Sequence, residues 1–284
     1  MKLIDLHTHS IASDGSLTPS EIVTLALERD LAAVALTDHD TMSGISEFIT
    51  ARGDAIGNTE FIPGVEVSVD FTGKEVHIVG LFVDHTHEEL NELLREVRMN
   101  RDARNLQLIT KLNEMGYEIT LDEVLKEAGG DSVGRPIVAK ILVEKGYFDE
   151  PQAVFDSCLK RGASAYVQRI LPTPKKVLDL IKAAGGVSIW AHPLYRSAND
   201  RTYMRKVLRS LKPLGLDGIE AYYTSFSPAQ TKAVLEVAGE FDMLLSGGSD
   251  FHGSNQPGVD LKTGKGNLAV PYEILAPLKQ RTQK

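Results

Sequence analysis

An α/β protein with a barrel-like, largely parallel sheet is the fold class this sequence predicts, and three observations predict it. Apolar strand-like runs alternate with helical segments over most of the chain. The alternation stops between residues 88 and 160, where helical periodicity dominates. Six of the eight histidines fall where strands are expected to end. Alternating strand and helix builds a mainly parallel sheet with helices packed outside it, and in barrels of this kind chemistry gathers at the carboxyl ends of the strands. A length of 284 residues suits one large α/β domain, or one domain carrying an inserted subdomain.

Residues 2–6 form a short strand. Thr18-Pro19-Ser20-Glu21 opens a helix, with Thr18 as N-cap, Pro19 in the first turn and Glu21 closing a capping box. Residues 31–37 are apolar enough for a strand buried on both faces, and a helix follows through about Ile56. Segments 61–70 and 74–83 flank Phe71-Thr72-Gly73, which reads as a hairpin turn. From 88 to 160 there are charged runs such as Arg95-Glu96-Val97-Arg98 and no strong strand, with punctuation at Gly129-Gly130-Asp131-Ser132 and Gly146-Tyr147. This stretch is expected to be a helical insertion, a lid over the barrel face, so that residues 1–87 and 161–284 form the barrel domain and 88–160 the insertion. Alternation resumes at the cap Thr173-Pro174, with strands near 187–191, 218–220 and 243–246 and a final helix after Pro271. About seven strands result.

Composition narrows the function classes. A hydrophobic content of 42% supports a packed core, and a formal charge of −8 argues against a general surface for long nucleic acid. Three bound divalent ions would reduce that charge to about −2 and concentrate positive charge in one cleft. The single Cys158 excludes an internal disulfide and a thiolate cluster; within an amphipathic helix over 153–159 it reads as a buried structural thiol. The opening Met1-Lys2-Leu3-Ile4-Asp5 reads as a strand instead of a leader, and no apolar run approaches the ~20 residues of a membrane span. A cytoplasmic protein without membrane contact is expected.

The chemistry lies in the histidines and three carboxylates. His7 and His9 are two apart at a strand end, so their side chains share a face; Asp250 and His252 repeat that parity near the other end of the chain. Barrel closure would bring the first and last strands together. Asp14 sits in the loop Ser13-Asp14-Gly15, and on its own reads as a turn aspartate. His39 follows a strand in Thr37-Asp38-His39-Asp40, where Asp38 or Asp40 is expected to cap the next helix. Glu66 lies between valines, a costly place for a carboxylate unless it is paired or metal-bound. His77 has a core histidine as its competing reading, and His192 is held extended before Pro193. His85 and His87 read as loop or helix-start residues despite their spacing. Imidazole with carboxylate is the ligand set for divalent Zn, Mn or Fe at an open hydrolytic site.

With these residues in place the chain resembles the PHP (polymerase and histidinol phosphatase) family, over about residues 2–85 and 166–256. The resemblance implies a distorted seven-stranded (β/α)7 barrel and a metal-dependent phosphoesterase. It implies one metal on His7, His9, Glu66 and Asp250, a second on Glu66, His77 and His192, and a third on Asp14, His39 and His252. Two metals ~3.5–4 Å apart can hold a hydroxide as nucleophile at neutral pH, with Asp14, His39, His192 and His252 in support. Gly134-Arg135-Pro136 and the helical insertion make the chain most similar to the branch of nucleoside 3′,5′-bisphosphate phosphatases, some of which act as 5′–3′ exonucleases on short RNA. The chain departs from that branch at Ile137, where some members carry histidine. The expected reaction is removal of the 3′-phosphate from such a bisphosphate, leaving the nucleoside 5′-monophosphate. Histidinol-phosphate hydrolysis, short-RNA exonuclease activity and a non-catalytic metal- or nucleotide-binding module stand as alternatives. A second phosphate would need a cationic clamp outside the metals, with Arg135 first and Arg169 and Arg196 next, because guanidinium binds phosphate oxygens bidentately.

Overall fold

Strand ends and helix starts follow the local chemistry of the chain. In the computed structural model, which describes residues 2–53, 59–128, 134–194 and 200–282, β1 (Leu3–Asp5) leads through a long loop to α1 (Pro19–Glu28), which opens on the Thr18–Glu21 capping box. Then come β2 (Ala33–Leu36), α2 (Ile45–Ala51), and the antiparallel pair β3 (Glu60–Phe71) and β4 (Lys74–Leu81), turned at Thr72-Gly73. The helical stretch comprises α3 (Glu88–Glu114), α4 (Leu121–Ala128), α5 (Arg135–Glu144) and α6 (Pro151–Val154). Alternation returns with α7 (Pro174–Ala183), capped by Thr173, then β5 (Val187–Trp190), α8 (Arg201–Leu211), β6 (Gly218–Tyr223), α9 (Pro228–Glu240) and β7 (Leu244–Gly248). A two-residue β8 (Val270–Pro271) and α10 (Leu275–Thr282) complete the chain. No helix among the described residues is long and apolar enough to cross a membrane.

The sheet runs β7-β6-β5-β4-β3-β2-β1-β8. Within the first seven strands only β4 is antiparallel to its neighbours. At and just beyond the ends of β1 and β7 the ring is nearly closed by Leu6 N–H to Gly247 O (3.0 Å), Asp250 N–H to His7 O (2.9 Å) and His9 N–H to Phe251 O (2.9 Å). The result is a distorted α/β barrel of seven strands, with β8 added antiparallel to β1.

Alternation along each strand sorts side chains into two layers. Ile4, Ala33, Ala35, Ile62, Val79, Leu81, Val187 and Ile189 meet Leu275 and Leu278 of α10 in one apolar cluster inside the ring. Val34, Leu36, Val65, Val67 and Ile219 point outward to the surrounding helices. A separate cluster gathers Leu108, Leu112, Val138, Leu142, Val154, Cys158 and Leu159 from the helical stretch. The helix α3 serves both outer cores: Leu90, Leu93, Leu94 and Val97 pack on the barrel, and Leu108, Ile109 and Leu112 on the second cluster.

Four local expectations need correction or limits. The helix after β2 ends at Ala51, and Ile56 lies outside the described residues, as does the Gly129–Ser132 break. Neither Asp38 nor Asp40 caps that helix: its N-cap position is Gly44 and has no side-chain cap. The aspartates are drawn elsewhere, Asp38 to Ser10 and Ser13, Asp40 to arginines. The helix expected over 153–159 is α6 followed by one π-helical turn, Phe155–Leu159, and Cys158 is buried there.

Candidate metal centre

The inward face of each strand that carries apolar residues at the bottom of the ring carries polar ones at its top. Ile62 and Glu66 share parity on β3, as do Val79 and His77 on β4, so Glu66 and His77 enter the same interior. The chain leaving β1 contributes His7 and His9, the turn after β2 contributes His39, the turn after β5 His192, and the loop after β7 Asp250 and His252. Three of these turns hold non-glycine residues at positive φ, namely Asp40 (54°), Asp250 (55°) and His192 (31°), whose backbone is thus not the extended one expected before Pro193. Such backbone costs energy and persists where neighbouring contacts over-determine it.

Glu66 is the hub. Its Oε2 lies 3.2 Å from His7 Nε2, 3.4 Å from His9 Nε2 and 3.0 Å from His39 Nδ1. Its Oε1 lies 2.9 Å from both His77 Nδ1 and His192 Nε2. Asp250 Oδ1 stands 3.1 Å from His9 Nε2 and 3.5 Å from His7 Nε2. Asp14 lies 3.3 Å from His252, 3.7 Å from His9 and 3.8 Å from His39. The donor atoms form three mutually close sets: His7, His9, Glu66 and Asp250; His39, Glu66 and His77; and His9, Asp14, His39 and His252. The first matches the set implied by the resemblance. The second contains His39 where that implication had His192, which stands against the other side of Glu66 instead.

These residues fit divalent cations. His7 Nε2, both ring nitrogens of His9, His39 Nδ1 and Glu66 Oε2 are buried and have no hydrogen-bond partner among the described residues, an arrangement that is costly unless something binds there. Burial alone would raise the Glu66 carboxyl, but His39, His7 and His77 hold it well below the usual range. Asp250, likewise raised by burial, is held low chiefly by His7 and His9. Burial, reinforced by His252 and His39, pushes His9 down to about 3. Ionised carboxylates and a neutral imidazole are the forms that ligate metals.

A supporting layer orients the donors. The Glu220 carboxylate accepts from His7 Nδ1–H (3.0 Å) and from His192 N–H (2.7 Å), leaving His7 Nε2 to face the cluster. The Tyr223 hydroxyl donates to Asp250 Oδ2 (2.8 Å), and His252 Nδ1–H donates to the Asp250 carbonyl (2.8 Å). Neither Glu220 nor Tyr223 was singled out from sequence, although Glu220 between Ile219 and Ala221 has the same carboxylate-in-an-apolar-strand signature as Glu66. His87 caps α3 through its ring, away from the cluster.

Of the expected phosphate-binding arginines, Arg169 is held by Asp40 (2.6 Å), Glu75 (3.1 Å) and Ser68 (3.1 Å). Arg135 donates to the Leu159 carbonyl (3.2 Å) and lies over the Tyr166 ring. Arg196 lies outside the described residues. Arg101 and Arg104, on the inward register of α3, were missed. They follow Val97 and precede Leu108 at helical spacing, so their burial was legible once that register was traced.

A barrel with acidic and imidazole donors converging at its strand ends defines a metal-dependent hydrolase site. The PHP domain family model matches residues 5–161. A 5′–3′ exoribonuclease of Haemophilus influenzae is 36% identical over 251 residues, covering 88% of this chain and 90% of that protein. A 3′,5′-nucleoside bisphosphate phosphatase of Chromobacterium violaceum is 33% identical over 262 residues, covering 92% and 91%. The solved structure of a Bifidobacterium adolescentis protein, assigned as a metal-dependent phosphoesterase, superposes with a TM-score of 0.81 at 27% identity over 99% of this chain and 96% of that one. The chain belongs to the PHP domain family and is a metal-dependent phosphoesterase.

Proposed function

We propose that this protein is a phosphatase that removes the 3′-phosphate from a nucleoside 3′,5′-bisphosphate, giving the nucleoside 5′-monophosphate and inorganic phosphate. The observation that carries the reading is the sharing of Glu66 between two donor sets, which suits a pair of cations acting on one phosphoryl group. Two or three divalent ions (Mn, Zn or Fe) held by His7, His9, Asp14, His39, Glu66, His77, His192, Asp250 and His252 would supply Lewis acidity and water activation. The remaining work falls to the protein. Glu66, His7 and His9 form a closed floor, while the side chains of Asp14, His77, His192 and His252 are 14–30% exposed and form the mouth through which a phosphoryl group enters. Cys158 is buried in the other cluster, so no thiol nucleophile serves the site. Similarity to the bisphosphate phosphatase of Chromobacterium violaceum supports the choice of substrate.

The test measures, with metal-loaded protein, phosphate release from adenosine 3′,5′-bisphosphate and from histidinol phosphate, and nucleoside 5′-monophosphate release from a short 5′-phosphorylated RNA. The bisphosphate is expected to have the highest kcat/KM, and Asp14→Ala to lower it by about a hundredfold or more, of the order seen when one stabilising group leaves a hydrolytic site. Release from none of the three, or an unaffected Asp14→Ala, overturns the reading. Similarity to the Haemophilus influenzae exoribonuclease favours the RNA substrate as second reading, and a higher kcat/KM on the RNA would select it.

A further inference from the structure

Asp38 is a buried carboxylate that belongs to none of the metal-ligand sets and caps no helix. It is 1% exposed, and among the described residues it pairs with no cation. Its side chain instead takes three donors from one loop. Ser10 N–H (2.8 Å) and Ser13 Oγ–H (2.5 Å) meet Oδ1, and Ser10 Oγ–H (2.7 Å) meets Oδ2. Three donors are the complement of an acceptor-only group, and bonds to a carboxylate are the strong kind. The loop is wound tightly on Ser10, whose carbonyl accepts from Ser13 N–H (3.1 Å) and Gly15 N–H (2.9 Å) and whose hydroxyl oxygen accepts from Ala12 N–H (3.1 Å). A Cβ on Gly15 would stand 2.2 Å from the His9 carbonyl oxygen, so the curl closes only with glycine there.

What the curl presents is Asp14, set against His252, His9 and His39. Ser13 Oγ lies 3.2 Å from Asp14 but 2.5 Å from Asp38, and its single proton goes to the shorter contact. Asp38 thus draws the hydroxyl away and leaves the Asp14 carboxylate to the imidazoles. The other side of the loop is tied to the exit of β7, by Ser16 N–H to His252 O (3.0 Å) and Asn255 Nδ2–H to Asp14 O (3.0 Å). The donors around Glu66 have a different support. Glu66 and His77 stand on β3 and β4, and the Asp38 carbonyl, which accepts from Glu66 N–H (3.1 Å), does not depend on its side chain. We propose that Asp38, acting through Ser10 and Ser13, is the positioning residue for Asp14, and that it builds the cation site of His9, Asp14, His39 and His252 separately from the sites around Glu66. The proposal rests on the reading of that set as a cation site, and not on which phosphate ester is cleaved. It divides the centre into sites built on the sheet and one carried by a loop, and the loop-borne site fills last.

The experiment takes the full chain, freed of metal by chelation, and titrates it with manganese(II), following heat by calorimetry and bound metal by elemental analysis after dialysis. Asp14→Ala, which removes the ligand candidate itself, is expected to bind one ion fewer than wild type and so to identify the loop-borne ion. Ser13→Ala leaves every ligand candidate in place. It is expected to weaken that same ion by about tenfold, the lower end for loss of a group that orients a metal ligand, and to keep the tighter ions within about twofold, as for independent sites. Asp38→Ala is expected to weaken it by about 100-fold, and Asp38→Asn, which keeps one acceptor oxygen, to fall between Asp38→Ala and wild type. Added to Asp14→Ala, Ser13→Ala is expected to change metal binding no further, because the residue it helps to place is gone. A purely structural role predicts parallel weakening of all the ions, and that result overturns the proposal. So does wild-type binding of every ion by both Ser13→Ala and Asp38→Asn, or an Asp14→Ala that loses no ion. Should Asp38→Ala fail to fold, Ser13→Ala and its combination with Asp14→Ala decide the matter. If loaded wild type hydrolyses none of the proposed substrates, the phosphatase reading fails while the manganese titrations still decide the role of Asp38; a normal phosphatase with parallel metal losses in Ser13→Ala overturns the role of Asp38 alone.

Discussion

His7 uses its two ring nitrogens for different tasks: Nδ1–H is fixed by Glu220, and Nε2 is left to the cluster beside Glu66 and Asp250. Removing such an orienting carboxylate usually costs about 10–100-fold in metal affinity. Glu220→Gln, which keeps the shape but replaces an acceptor oxygen with an amide, is expected to lose metal by that factor in a competition titration, and excess metal is expected to restore its activity. Activity loss that metal does not rescue would show that Glu220 acts otherwise. At this scale the sequence was legible wherever a donor stood at a strand end or a carboxylate stood in an apolar strand, as with His7, His9 and Glu66. Glu220 carried the second signal without the first, and its task appears only through its contact with His7. The pairing of Asp40 with Arg101 and Arg169 bridges 61 and 129 residues of sequence, and no local pattern encodes such a match.

Among the elements, α3 joins the site to the rest of the molecule. Its buried positions recur at helical spacing from Leu90 to Leu112, apolar at both ends and basic at Arg101 and Arg104 between them. Because its distal half packs in a cluster separate from the barrel cores, a cavity there should disturb the arginines more than the metal-ligand candidates. Leu112→Ala, at a fully buried position, is expected to destabilise by about 2–5 kcal/mol. It is also expected to raise KM for a bisphosphate while metal content by elemental analysis stays unchanged; a parallel loss of metal would mean that the two regions are not separable in this way. The helical character of 88–160 and the caps at Thr18 and Thr173 could be read from the sequence because they depend on neighbours in the chain. The two residues of β8 could not, since so short a strand exists only by pairing with β1.

For the molecule as a whole, the metal-ligand candidates sit across the seam of the barrel. His7 and His9 come from the exit of β1 and Asp250 and His252 from that of β7, about 240 residues apart in the chain yet joined by a few backbone hydrogen bonds, the Thr8–Phe251 bridge and side-chain contacts such as Ser249 N–H to Asp5. A cation held by His7, His9, Glu66 and Asp250 would therefore cross-link the two ends of the ring, and unfolding would have to release it. Metal at a hundred times its dissociation constant stabilises the folded state by about 2.7 kcal/mol per site. For a chain of this size each kcal/mol corresponds to roughly 2–4 °C, so chelation should lower the melting temperature by roughly 5–10 °C for one tightly held ion. The loss should concentrate at the seam, with faster amide exchange at Leu6, His9 and Asp250 than within β3 and β4, which pair with each other along their length. Asp250→Ala, which removes a ligand candidate from the seam set, should reproduce most of that drop, and Asp14→Ala, from the more exposed set, less of it. A chelated protein that melts within 1 °C of the metal-loaded one, with no change in exchange along the seam, would show that the ring closes without help from the cations and that their role is confined to chemistry.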